Sequence, residues 1–135
     1  MALMKWTPAL SVKVQQFDDQ HMVLVEMINA LHDAVKAGRG AEILGTTLDG
    51  LITYTTTHFG EEEKLMETFS YPDRDEHKAA HENLIKIVQE LQQKFTSGQS
   101  IVSLDVLMFL RDWLMGHINV VDKKYGAFFN DKGMN

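Results

Sequence analysis

Two pairs of side chains able to bind a metal, each pair four residues apart, flank one chain-breaking turn. His58 and Glu62 precede Ser70-Tyr71-Pro72, and His77 and His81 follow it. Residues four apart on a helix share a face. Two helices joined by so short a turn are antiparallel neighbours, so this stretch can aim all four side chains into one small volume. The rest of the chain must fold around a helical hairpin with a polar centre.

Apolar residues recur at helical spacing on both sides of that hairpin. Residues 1–17, with Trp6, Pro8, Val12, Val14 and Phe17, lack the spacing and read as an extended arm laid against the bundle, Trp6 and Phe17 being packing residues. Asp18 or Asp19 can cap a first helix, whose inward stripe is His21, Leu24, Ile28, Leu31 and Val35 and which stops before Gly38. Met22 and Val23 fall beside this stripe, one of them half exposed. A second helix runs from about Ala41 to Phe69, with Leu44, Leu48, Leu51, Thr55, His58, Glu62 and Leu65 inward. Gly45 and Gly50 weaken its early half by up to about 1 kcal/mol each. Asp73 and Glu76 form a capping pattern for a third helix, with His77, His81, Leu84, Val88, Leu91 and Phe95 inward and an end at Gly98. Ser103 caps a fourth, in which Leu107, Leu110, Leu114, His117 and Val121 face inward. From Phe128 the periodicity is lost, and residues 129–135 are expected to fray as a tail.

Short connections make consecutive helices antiparallel, so the expected fold is all-α: an up-down-up-down four-helix bundle over 18–128 within a single domain, 1–135. In that arrangement the start of the first helix, the end of the second, the start of the third and the later half of the fourth share one end. His21, His58, Glu62, His77, His81, His117 and Asp122 therefore converge on one layer. The sixth histidine, His32, lies eleven residues beyond His21, about 16 Å along the helix, and has no ligand role. Glu61 and Glu63 step off to either side of Glu62 and read as solvated. Asp122 is the awkward member, because a five-residue step from His117 turns an α-helix by about 140°. It reaches the layer only from the flank, by bridging outward or through a local helix irregularity. Glu62 and Asp122 in an apolar layer would each cost several kcal/mol unless paired, and a bound metal removes that cost.

The 135 residues contain no cysteine, which excludes disulfides, thiolate zinc, iron–sulfur clusters and covalently attached c-type haem. A net charge of −6 argues against nucleic-acid binding. No apolar run of about 18 residues predicts membrane insertion, and Met-Ala-Leu-Met-Lys-Trp lacks the regions of a secretory signal, so a cytoplasmic protein is expected. No extra apolar face stands out, which favours a monomer. Seven candidate ligands are too many for one tetrahedral zinc, and the imidazole share is too high for magnesium or calcium. Two transition-metal ions bridged by both carboxylates use them all. A set of five imidazoles and only two carboxylates favours lower oxidation states, so such a centre should bind oxygen when reduced and stop short of cleaving it.

At this point the whole chain resembles the single-domain bacterial members of the hemerythrin family. The matching residues are Asp19-Gln20-His21 with Leu24 and Asn29, His58-Phe59 with Glu62 and Met66, the His77 and His81 pair, and Trp113-Leu114 with His117-Ile118, Asp122 and Tyr125. The resemblance implies two non-haem iron ions bridged by carboxylates and a solvent-derived oxo or hydroxo group. One iron is then held by His77, His81 and His117, the other by His21 and His58, with Glu62 and Asp122 bridging. It also implies dioxygen bound as a hydroperoxide at the two-histidine, five-coordinate iron, under a pocket of Leu24, Phe59, Trp113, Leu114 and Ile118. Reversible binding of dioxygen for storage, transport or delivery to an oxygen-consuming enzyme follows. The alternatives are a di-iron enzyme acting on peroxide or nitric oxide, and an oxygen or iron sensor. Met22-Val23 departs from the polar residues often found there, which bears on the surface and not on the iron site.

Overall fold

A computed structural model describes residues 4–37, 41–97 and 104–135, and among these the side chains of all but 41–45, 47, 94–96 and 104–106. The connections at 38–40 and 98–102, the Ser103 cap and the inward placing of Leu44 and Phe95 lie outside the described residues, as do the surroundings of Gly45. The rest is all-helical, and among the described residues no strand occurs. Helix α1 spans Gln15–Lys36, α2 Ala41–Thr68, α3 Arg74–Thr96 and α4 Leu104–Gly116; a π-helical turn, His117–Asp122, joins α4 to α5, Lys123–Asp131. The series α4, π turn and α5 makes the fourth helix of the bundle. Helix α1 packs on α2 and α4, and α2 on α3.

Local chemistry accounts for the ends. Helix α2 stops in a Schellman arrangement: Ser70 is left-handed at φ 56°, its N–H donates to Glu67 O, and Tyr71 N–H donates to Met66 O at 2.8 Å. Pro72 then prevents continuation. The C-terminal end repeats the device with Gly133 at φ 88°, whose neighbour Met134 donates its N–H to Phe129 O at 2.9 Å.

Two expected boundaries are corrected. Helix α1 begins at Gln15, with Val14 extended before it, and not at Asp18 or Asp19. Asp18 is instead buried inside the helix, where its carboxylate accepts the Val12 N–H at 2.9 Å and the Ser11 hydroxyl at 2.6 Å. The residue read as a cap thus fastens the arm. The arm itself holds a short 3₁₀ turn at Pro8–Leu10, and Met4, Leu10, Val12 and Val14 are core residues. At the other end, 129–135 is not a frayed tail: Phe129 is fully buried and α5 continues to Asp131. Tyr125, Phe129 and Phe17 form an aromatic cluster, with Phe17–Tyr125 and Tyr125–Phe129 centroids 5.4 and 5.3 Å apart.

Most of the inward stripes are buried, from His21 to Leu31 in α1, Leu48 to Glu62 in α2, His77 to Val88 in α3 and Leu107 to His117 in α4. Val35, Leu65, Leu91 and Val121 are only partly buried, while Met66 and Ile118 are fully so. Met22 and Val23 are both half-buried. Among the described residues Met108, Phe109, Met115 and Val120 stand exposed along the fourth helix, interspersed with exposed Asp112, Gly116 and Asn119. The candidate metal layer lies between the aromatic cluster and the aliphatic layers of Leu31, Leu48 and Leu107, shielded from water on both sides.

Candidate metal centre

Seven side chains from all four helices of the bundle meet in that layer, each with 6% or less of its surface exposed. His21 comes from the second turn of α1, His58 and Glu62 from one face of α2, and His77 and His81 from the first two turns of α3. His117 and Asp122 come from the two ends of the π turn. That turn answers the difficulty of their five-residue spacing, because an i→i+5 helix returns to the same face after five residues. Ligand-capable atoms fall into two groups, His77, His81, His117 and Asp122 in one and His21, His58 and Glu62 in the other. His32, although buried, belongs to neither, and its Nδ1 lies 3.9 Å from Asp33.

Distances within the first group test the fit of an ion. His117 Nε2 lies 3.0 Å from His81 Nε2 and 3.1 Å from His77 Nε2, and Asp122 Oδ1 lies 3.0 Å from both His77 and His117 Nε2. Donors about 2.1 Å from one ion are separated by about 3.0 Å at adjacent corners of an octahedron and by about 3.4 Å in a tetrahedron. The observed edges are octahedral. The carboxylates span the groups: Asp122 Oδ2 is 3.2 Å from His21 Nε2, and Glu62 Oε1 is 3.4 Å from both His58 and His81 Nε2. His21 Nε2, Glu62 Oε1 and Asp122 Oδ1, all turned into the layer, are buried without a hydrogen-bond partner. Buried polar atoms are nearly always satisfied, so unsatisfied donors and acceptors gathered at one point are what a pair of bound cations would complete.

Electrostatics agree. Burial pulls His81 down to about 3, so it is neutral, and burial likewise lowers His58. Their ring Nδ1 atoms meet Glu63 Oε2 at 2.9 Å and Gln20 Oε1 at 2.5 Å, so each imidazole carries its proton outward and turns the Nε2 lone pair into the layer. Burial opposes the charges on Asp122 and Glu62. The imidazoles outweigh it, holding Asp122 well below its ordinary range, with His117 foremost, and keeping Glu62 low through His58 and His21. Burial also lowers His21, but the nearby Asp122 and Glu62 carboxylates overcome it and push it up to about 10. In the metal-free protein a proton on His21 substitutes for positive charge between two carboxylates.

Several contributors escaped sequence reasoning. Glu63 is not merely solvated but hydrogen-bonds His81, and Glu61, though exposed, accepts from Gln20 Nε2 at 2.5 Å. Tyr125 donates to Glu62 Oε2, and burial together with that carboxylate raises its own pKa well above normal. Its position three residues after Asp122 was the available signal. For Glu63 none existed, since its reach depends on how α2 and α3 are splayed.

Of the expected pocket residues, Leu24, Phe59, Trp113 and Leu114 line one cavity of about 30 Å³, otherwise walled by aliphatic side chains and Thr55. Ile118 does not line it; it is fully buried in the core beside His117. Phe59 stacks on His81 at 3.6 Å and Trp113 on His117 at 4.4 Å, so both also clamp imidazoles of the three-histidine group.

A four-helix bundle with an all-imidazole and carboxylate layer, divided into two groups that share their carboxylates, defines a non-haem two-metal protein. The model of the hemerythrin HHE cation binding domain matches residues 12–129. The chain belongs to the hemerythrin family. It is 45% identical over 127 residues to a bacteriohemerythrin of Methylococcus capsulatus, covering 93% of this chain and 96% of that one. A myohemerythrin of Theromyzon tessulatum is 26% identical, with 90% and 89% covered. The crystal structure of a wild-type hemerythrin, 42% identical, superposes with a TM-score of 0.90 over 93% of this chain and 97% of that chain. With the family comes a non-haem di-iron centre that binds oxygen.

Proposed function

We propose that this chain, as one domain over 1–135, carries dioxygen reversibly and releases it to an oxygen-consuming enzyme. In this reading His77, His81 and His117 hold one iron, His21 and His58 hold the other, and Glu62 and Asp122 lie between them. When bound there, iron would supply reversible two-electron chemistry toward dioxygen. The two-histidine position has fewer protein donors and is where dioxygen has room to bind. The observation that carries the reading is the division of the donors into unequal histidine sets around carboxylates that reach both sets.

The chain's own residues supply the conditions for reversibility. Leu24, Phe59, Trp113 and Leu114 line an apolar cavity, with the Phe59 and Trp113 rings against His81 and His117, and an apolar, water-poor setting hinders the protonation that would release reduced oxygen irreversibly. Tyr125 fixes Glu62 by its hydrogen bond, so the carboxylate need not turn during the cycle. Thr55 is the polar residue of the cavity wall, and a hydroxyl is a poor proton donor for peroxide turnover. This favours carriage over an enzyme of the same site. Both donor groups are completed within one chain, so the monomer suffices as the working unit. Among the described residues no helix is long and apolar enough to cross a membrane, which is compatible with work in the cytoplasm.

The test is optical. Iron-loaded protein is reduced without air, exposed to oxygen and then returned to vacuum. A visible charge-transfer band that comes and goes over repeated cycles is expected, whereas permanent oxidation on first exposure, or steady consumption of added hydrogen peroxide, would defeat the proposal.

A further inference from the structure

We propose that the run Glu61-Glu62-Glu63 supports the two halves of the centre unequally: Glu63 is a positioning residue that puts a full negative charge directly behind His81, whereas Glu61 reaches His58 only through the neutral amide of Gln20. The inference rests on the di-iron reading above. It concerns which half is the richer electron donor.

The hydrogen bonds fix the arrangement. Gln20 Nε2 donates to Glu61 Oε2 at 2.5 Å, which leaves Gln20 Oε1 facing His58 Nδ1 at 2.5 Å. The reversed amide would set its NH₂ against the ring N–H and its oxygen against a carboxylate, so the orientation is determined by the network. His58 therefore donates to an uncharged acceptor. His81 Nδ1 donates to Glu63 Oε2 at 2.9 Å, and the Glu63 side chain keeps only 23% of its surface exposed, so water screens the pair incompletely. A hydrogen bond to a carboxylate is about twice as strong as one to a neutral acceptor and makes the imidazole a more basic ligand. The Nδ1 atoms of His21 and His77 are buried without a partner. The pairs His81–Glu63 and His58–Gln20 thus distinguish the halves, stabilising the higher oxidation state on the three-histidine side and leaving the two-histidine side the weaker donor set.

Two isosteric exchanges test this in the iron-loaded full chain. Glu63→Gln keeps an acceptor behind His81 and removes the charge, and Gln20→Glu combined with Glu61→Gln moves a charge directly behind His58 while the amide at 61 still donates to its neighbour. Redox titration of the visible band should show Glu63→Gln shifting the ferrous-to-ferric ratio at fixed potential about tenfold toward ferrous, equivalent to about 59 mV for one electron. The Gln20→Glu, Glu61→Gln exchange should shift it the opposite way. Glu63→Gln should also lose iron to a chelator about tenfold faster. A role limited to holding shape predicts no change in potential, since both exchanges preserve a hydrogen bond. Potentials equal to the parent in both variants, with two irons bound, would overturn this inference alone. A parent chain that takes up no iron would overturn the functional reading as well.

Discussion

Gly126 is the described glycine whose missing side chain leaves room for neighbouring backbone. A Cβ built there would lie 2.2 Å from Val12 O and 3.1 Å from Val12 C. A carbon approaches a carbonyl oxygen no nearer than about 3.3 Å, so Gly126→Ala must push the arm back by about 1 Å. Val12 cannot yield that much and keep its 2.9 Å hydrogen bond to the buried Asp18 carboxylate. Losing a hydrogen bond to a charged group costs about 1.5–3 kcal/mol, and the better helix propensity of alanine returns at most about 1 kcal/mol. The net loss is about 0.5–2 kcal/mol, which for a chain of this length lowers Tm by roughly 2–7 °C. Gly50 and Gly60 are internal controls, because nothing lies within 4 Å of a Cβ at either. Gly50→Ala and Gly60→Ala should each raise Tm by about 2–3 °C. Calorimetry of the three variants is the assay, with amide exchange at Val12 reporting the arm. A Gly126→Ala protein as stable as its parent would refute the reasoning.

Three further outcomes are expected. Unfolding of the metal-free chain as a function of pH should show two losses. His81, held at about 3 against 6.5 when unfolded, makes the unfolded state bind more protons, so stability falls as pH drops below 6.5. His21, held up to about 10, contributes stability that is present below 6.5 and lost as pH rises through 10; iron should abolish this alkaline loss by replacing the His21 proton. Tyr125→Phe leaves Glu62 Oε2 without its donor and should cost about 1–3 kcal/mol in denaturant melts. Leu114→Ala should cost about 2–5 kcal/mol and shorten the life of the oxygenated protein severalfold, followed by decay of its visible band.

Much of the architecture was legible because the signals were local. Helical stripes and a Pro-containing turn fix four antiparallel helices, and direction alone brings seven polar side chains to one end. The misreadings came where position depends on what another element does. Asp18 looks like a cap until the arm is seen folding back onto it. Phe129 looks like the start of a tail because the π turn shifts the phase of everything after it: from His117 the inward position passes to Asp122 in place of Val121 and then to Tyr125, Gly126 and Phe129. The five-residue step between His117 and Asp122 was the visible trace of that shift. The bonds of Glu63 and Gln20 to the imidazoles could not be read, since they cross between helices whose separation no spacing encodes. The same is true of Ile118, buried beside the centre but outside the cavity.

Dioxygen uptake measured against iron content in the same sample tests the central claim most directly. The account predicts two irons per chain, one dioxygen taken up per iron pair after anaerobic reduction, and recovery of that gas on evacuation with the irons again reduced. One metal per chain, or oxygen consumed without being returned, would contradict it.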